Sequence, residues 1–192
     1  MRQEFLNRKT GETDISVNFN LDGSGYFEGS SGVGFFDHML NSFAVHGKFN
    51  FILKAEGDLH VDCHHTVEDI GIVLGQVVKN ALGDKKGITR FGEASIPMDE
   101  ALAQAVIDIS GRPFLVFNAS FEKPMIGDFD TDMVLEFFRA FVMNAGITLH
   151  INLIYGQNAH HCIEAIFKAV AHALRKAVEI DSFEILSTKG SL

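Results

Sequence analysis

The sequence predicts an α+β fold: an internally duplicated unit of strands, helix, strand and helix, giving two sheets covered by helices. Three observations carry this. His64-His65-Thr66-Val67-Glu68 and His160-His161-Cys162-Ile163-Glu164 are one His-His-x-x-Glu pattern used twice. Each opens a run of apolar residues at helical spacing, Ile70, Val73, Leu74, Val77, Val78 and Leu82 in one case, Ile166, Phe167, Val170, Leu174 and Val178 in the other. The elements upstream follow the same order in both halves, with matched positions 94 residues apart at Asp14/Asp108, 98 at His38/Glu136 and 96 at His64/His160.

In chain order, Ile15, Val17, Phe19 and Leu21 alternate with polar residues, as a half-buried strand does. Asp22-Gly23-Ser24-Gly25 then signals a hairpin into a second strand through Tyr26 and Phe27. Phe35 to Ala44 reads as a helix with a glycine stop at Gly47. Phe49 to Lys54 is a strand, and the first His-His helix runs from about His65 to a stop at Gly83. The second half repeats this: a strand from Phe114 to Phe121, a helix from Val134 to a stop at Gly146, a strand from Thr148 to Ile154, and the second His-His helix. The expected units are residues 1–92 and 93–192, joined intimately into one domain.

On a helix, the first His and the Glu of each motif lie at i and i+4, one turn apart on one face. The middle His is rotated by about 100° and serves something else. Two such helices facing each other would let each middle His complete the other's site. Under the duplication Glu136 stands where His38 stands. One metal set is then His38, His65, His160 and Glu164; the other is Glu136, His64, Glu68 and His161. Histidine and carboxylate without thiolate suit Mn, Fe or Zn, and four protein ligands leave positions open for substrate. Cys63 and Cys162 read as small buried thiols.

A net charge of −9 and the lack of a Lys/Arg-rich tract argue against nucleic-acid binding. No apolar run is long enough to span a membrane and no signal peptide opens the chain. Two cysteines give no disulfide framework, so the expected location is cytoplasmic.

Residues without a partner in the repeat mark where the halves differ. Glu12 matches Val106, and Arg112 matches Asn18. Arg90 ends the first unit, and Ser187-Thr188-Lys189-Gly190 is a polar tail. Two readings stand for Arg90, Arg112, Ser187 and Lys189: a phosphate clamp of guanidinium forks and a point charge, or surface charges beside a loose tail. His150 reads as a supporting or structural strand histidine.

Phe36-Asp37-His38-Met39-Leu40, the stretch from Asp62 to Asp69, the stretch from Asn158 to Ala169, and Ser187-Thr188-Lys189-Gly190 together resemble the imidazoleglycerol-phosphate dehydratase family of histidine biosynthesis. The likeness runs from about Arg8 to the C-terminus. It implies a duplicated fold like domain 2 of ribosomal protein S5, two Mn2+ ions per active site, and a closed homo-oligomeric shell of 24 subunits with metals at subunit interfaces. The implied reaction removes water from imidazole glycerol phosphate to give imidazole acetol phosphate through a di-manganese-bound imidazolate. The resemblance makes Glu12 the proton carrier, with Glu68 and Glu164 in the catalytic set. It assigns substrate binding to Glu12, His38, His46, Arg90, Arg112, Ser187, Thr188 and Lys189. The family usually has a histidine where this chain has Glu136, with His150 as the fallback ligand. Many members also carry a phosphate-holding glutamine where this chain has Ser42. Two other classes would use the same ligands: a dinuclear metallohydrolase acting on phosphate esters or amides, and a metal-storage shell.

Overall fold

The computed structural model describes residues 2–188. The first sheet contains β1 (Gln3–Lys9), β2 (Thr13–Asn20), β3 (Tyr26–Ser30) and β4 (Asn50–Gly57), in the order β1-β2-β4-β3. Helix α1 (Gly34–Gly47) precedes β4, and α2 (His64–Leu82) follows it. The second sheet repeats the arrangement with β5 (Phe91–Met98), β6 (Ala101–Asp108), β7 (Phe114–Asn118) and β10 (Thr148–Tyr155), ordered β5-β6-β10-β7. A short hairpin, β8 (Met125–Ile126) and β9 (Phe129–Asp130), comes before α3 (Met133–Ala145); α4 (Ala159–Val178) closes the unit. Strand β5 begins at Phe91 and so straddles the expected boundary between residues 92 and 93.

Alternation explains the layering. Ile15, Val17 and Phe19 of β2, Phe51 and Leu53 of β4, Ile107 of β6, and Leu149 and Ile151 of β10 all turn the same way and are buried. The helices cover those faces. Helix α2 lies on β1, β2 and β4, and α4 on β5, β6 and β10. Helix α1 also packs on α4, and α3 on α2, so the four helices form a layer between two outer sheets.

The turn after β2 is not a hairpin. Strand β4 pairs antiparallel with β2 and parallel with β3, so the chain crosses the end of β4. Asn50 holds that crossing: its Oδ1 accepts the Ser24 N–H at 2.9 Å. The apolar strand thereby takes the centre, and the exposed, polar β3 takes the edge.

The pairing also corrects the register of the repeat. Asn20 pairs with Asn50 as Asp108 pairs with Thr148, and Tyr26 with Asn50 as Phe114 with Thr148. The strands before the first helix are thus offset by 88 residues and the later elements by 96 to 98, the β8–β9 hairpin accounting for the difference. Glu12, just before β2, therefore corresponds to Glu100 just before β6, not to Val106, and Arg90 corresponds to Arg2. Strands β1, β5 and β6 had no expectation. Strand β6 turns Ala101, Ala103 and Ala105 inward, too small to stand out as apolar alternation, and β5 carries Gly92 and Pro97.

Two glycines set the depth of the helix layer. A Cβ on Gly71 would lie 2.7 Å from the Phe137 carbonyl oxygen, and one on Gly75 would lie 2.5 Å from that of Phe141. Both numbers advance together, so α2 and α3 run parallel at backbone contact. The helix is also pinned to its sheet. Buried Asp69 accepts from the Thr13 hydroxyl and pairs with Arg8 Nη1 at 2.7 Å.

Gly75→Ala should lower stability by about 1–3 kcal/mol through overpacking, although alanine favours an isolated helix by about 1 kcal/mol over glycine. Denaturant unfolding measures the net sign; a stabilised variant would show that α2 and α3 can separate freely.

Candidate functional site

The first turn of α4 presents His160 and Glu164 on one face, and α1 lays His38 beside them. Glu164 Oε2 lies 3.4 Å from His160 Nε2 and 3.6 Å from His38 Nε2. Among the described residues, this is the one group of three or more His, Cys, Asp or Glu whose ligand atoms all lie within 4.8 Å of one another. Burial pushes the Glu164 carboxyl up, but Lys168 at 2.8 Å, with His38 and His160, outweighs it and holds the group below its ordinary range. Lys168 takes Oε1 and leaves Oε2 facing the two imidazoles. The edge of the Phe35 ring rests on His160 at 5.0 Å, with Phe129 of β9 behind it at 5.3 Å.

Helix α2 supplies the counterpart. His64 Nε2 lies 3.7 Å from Glu68 Oε2, again at i and i+4. The duplication places Glu136 of α3 where His38 of α1 stands in the other half. Its carboxylate, however, is turned to Arg139, whose Nη1 lies 2.6 and 2.7 Å from the two oxygens.

Within one chain, three residues of the first expected set come together, and of the second His64 and Glu68 pair. His65 is not with His38, His160 and Glu164, and His161 is not with His64, Glu68 and Glu136. Each middle histidine is rotated off its motif's face and tethered by a carboxylate: His65 Nδ1 lies 2.9 Å from Asp58 Oδ2, and His161 Nδ1 lies 2.7 Å from Glu100 Oε2. The hydrogen bonds hold both imidazoles above their ordinary pKa, and the Glu100 carboxyl falls to about 2, through His161 first and then the Asn158 amide. Such a tether on Nδ1 directs the Nε2 lone pair of the neutral ring outward, the arrangement metal-ligating histidines use. Glu12 sits 3.8 Å from His65 Nε2, at a shallow cavity of about 310 Å³ that Lys9, Glu56, Asp58 and His60 also line.

Sequence reasoning missed Glu100 and Lys168. Glu100 was legible only with β6 in register, as the match of Glu12. Lys168 lies four residues after Glu164, a cation inside an apolar helical stripe.

The anion-binding candidates divide differently. Arg90 is largely enclosed: its guanidinium pairs with Asp108 at 2.7 Å, donates to the Leu186 carbonyl at 2.7 Å and stacks on Phe91. It therefore anchors the tail at Leu186, just before half-buried Ser187 and exposed Thr188. Arg112 is exposed, with Nη2 3.7 Å from Asp108. Lys189 lies outside the described residues. His46, in the last turn of α1, faces His172 of α4 at 5.5 Å; burial, then Lys168, push its pKa down. His150 points to the outer face of its sheet, opposite the buried Leu149 and Ile151, so it is not a core histidine. Ser42 is buried within α1. Both cysteines are buried and free, as small thiols.

A sequence model of the imidazoleglycerol-phosphate dehydratase family matches residues 31–174. The chain is 58% identical over 195 residues to imidazoleglycerol-phosphate dehydratase of Methylorubrum extorquens, each covered in full, and 56% identical to that of Acetivibrio thermocellus, with 97% of each covered. The crystal structure of the Staphylococcus aureus enzyme superposes with a TM-score of 0.85 at 45% identity, covering 93% of this chain and 99% of that one. The Pyrococcus furiosus enzyme, in complex with (S)-C348, gives 0.84 at 36% identity, covering 97% and 100%.

Glu100→Gln should move the His161 titration down toward the ordinary imidazole value of 6.5, because the lost carboxylate is what raises it. Histidine ring NMR on metal-stripped protein follows this directly, and an unmoved midpoint would mean that the tether does not act in solution.

Proposed function

The chain belongs to the imidazoleglycerol-phosphate dehydratase family and is a dehydratase of histidine biosynthesis; from that premise we propose that it works with two divalent cations, manganese by preference, held by the His and carboxylate groups described above. The observation that carries this reading is the convergence of His38, His160 and Glu164 within 4.8 Å, a thiolate-free donor set. His64, Glu68 and Glu136 would hold the second ion. His65 and His161, tethered by their Nδ1 atoms and outside their own chain's half-sites, would complete sites on neighbouring copies. That supports the metal sites lying at subunit interfaces of a closed 24-subunit shell.

The substrate in this reading is imidazole glycerol phosphate and the product imidazole acetol phosphate. Held by these His and carboxylate groups, the ions would supply positive charge that eases loss of a proton from the substrate's imidazole ring. The protein does the rest. Glu12 lies beside His65 at the cavity and carries the proton taken from the substrate carbon to the departing hydroxyl. Arg112, Ser187, Thr188 and Lys189 receive the phosphate, with Arg90 and Asp108 fixing the tail and the guanidinium fork in place. His46, kept neutral by its burial, contributes a hydrogen bond rather than a charge. Orientation by this phosphate grip is a recognised source of several kcal/mol of barrier lowering.

The decisive experiment compares Mn2+-loaded protein on imidazole glycerol phosphate and on a simple phosphate monoester. Turnover of the first alone supports the reading; hydrolysis of the second in its place would make the chain a metallohydrolase. Glu12→Gln should retain both ions and substrate affinity while turnover falls roughly 100-fold, the scale of a lost proton-transfer group. Arg112→Ala should instead raise KM with a smaller effect on kcat. Near-normal turnover in Glu12→Gln with both ions bound would take Glu12 out of the mechanism.

A further inference from the structure

The two half-sites occupy equivalent places in the repeat, but only one is assembled. At the first, Lys168 engages a single Glu164 oxygen and the other faces both histidines, while Phe35 and Phe129 buttress the His160 ring. At the second, one guanidinium nitrogen spans both oxygens of Glu136, and His64, Glu68 and Glu136 do not close to within 4.8 Å. The residue equivalent to Arg139 beside His38 is Asn41, which is uncharged. Each site thus carries one cation, Lys168 at the first and Arg139 at the second, but only Arg139 engages both oxygens of its carboxylate.

We propose that Arg139 is a positioning residue that holds Glu136 off the second metal site, so that the chain loads its two divalent cations unequally, the His38/His160/Glu164 site first. The inference rests on the metal reading above. To ligate, the Glu136 carboxylate must turn from Arg139 toward Glu68 and His64. The guanidinium stays nearby, half-exposed, and its charge opposes that of the arriving ion. Lys168 likewise opposes an ion at the first site, but it leaves Glu164 Oε2 facing the two histidines, so the cost of turning a carboxylate falls on the second site alone.

The test is a Mn2+ titration of chelator-stripped, full-length protein, with free Mn2+ read from its EPR signal. The wild-type chain should show two affinity classes. His160→Ala should abolish the tighter one and His64→Ala the weaker. Arg139→Gln should tighten the weaker class by about threefold to tenfold, the scale of a partly screened charge and an exposed ion pair, and leave the tighter class where it was. Placed on Glu136→His, the same Arg139→Gln change should tighten the weaker class by less, because only the repulsion is left to relieve and no carboxylate is released. A single affinity class in the wild-type chain overturns the proposal. So does an Arg139→Gln variant whose weaker class is unchanged or weakened, the last result making Arg139 a support for Glu136. Either outcome leaves the metal reading standing, whereas a wild-type chain that binds no Mn2+ overturns both.

Discussion

Backbone contact between α2 and α3 is the constraint on which the rest of the molecule depends. Gly71 and Gly75 remove the side chains that would otherwise keep the helix axes apart, and the Phe137 and Phe141 carbonyls fill the space. With that depth fixed, the four helices form one layer between the sheets. Their first turns carry His64 and Glu68 on α2, and His160 and Glu164 on α4, where α1 brings His38 to the second pair. Two unrelated-looking requirements, tight packing and convergent ligands, are met by one helix spacing. Buried Asp69, next to Glu68 and paired with half-exposed Arg8, adds a second fixed point, since a carboxylate in that setting must keep its partner or leave a charge stranded.

Much of this was legible in the sequence. The paired motif, the i and i+4 geometry and the four helix spans were all readable, because helical periodicity survives over many residues. The strands were harder. Alanines lining β6 and the proline and glycine in β5 conceal a pattern of period two, and without those strands the repeat was matched several residues out of register. That slip made Glu12 look solitary when Glu100 is its counterpart. The hairpin expected after β2 failed for another reason: local turn chemistry cannot report that a later, more apolar strand will take the central place. Nor can sequence show that Arg90 spends its guanidinium inside its own chain.

The duplication has been broken in specific places. Among the described residues the β8–β9 hairpin has no counterpart in the first half, yet it sends Phe129 to stack on Phe36 of that half, 5.8 Å between ring centres. An insertion in one repeat thus stiffens the histidine cluster shared by both. The carboxylate tethers diverge too. His65 is held by Asp58 after β4, whereas His161 is held by Glu100 from the β5–β6 turn, which also receives the amides that begin α4. The same job, fixing one ring nitrogen, is done from different strands.

That fixing has a consequence for how copies of the chain can fit together. A tethered histidine offers one end only, like a plug, and each half-site of three ligands is a socket. On the proposed reading one chain carries two of each, and its plugs enter the sockets of neighbouring copies. Any closed arrangement of identical copies then leaves no plug or socket over. An open cluster must leave some of both at its edge, so growth stops only when the surface closes on itself.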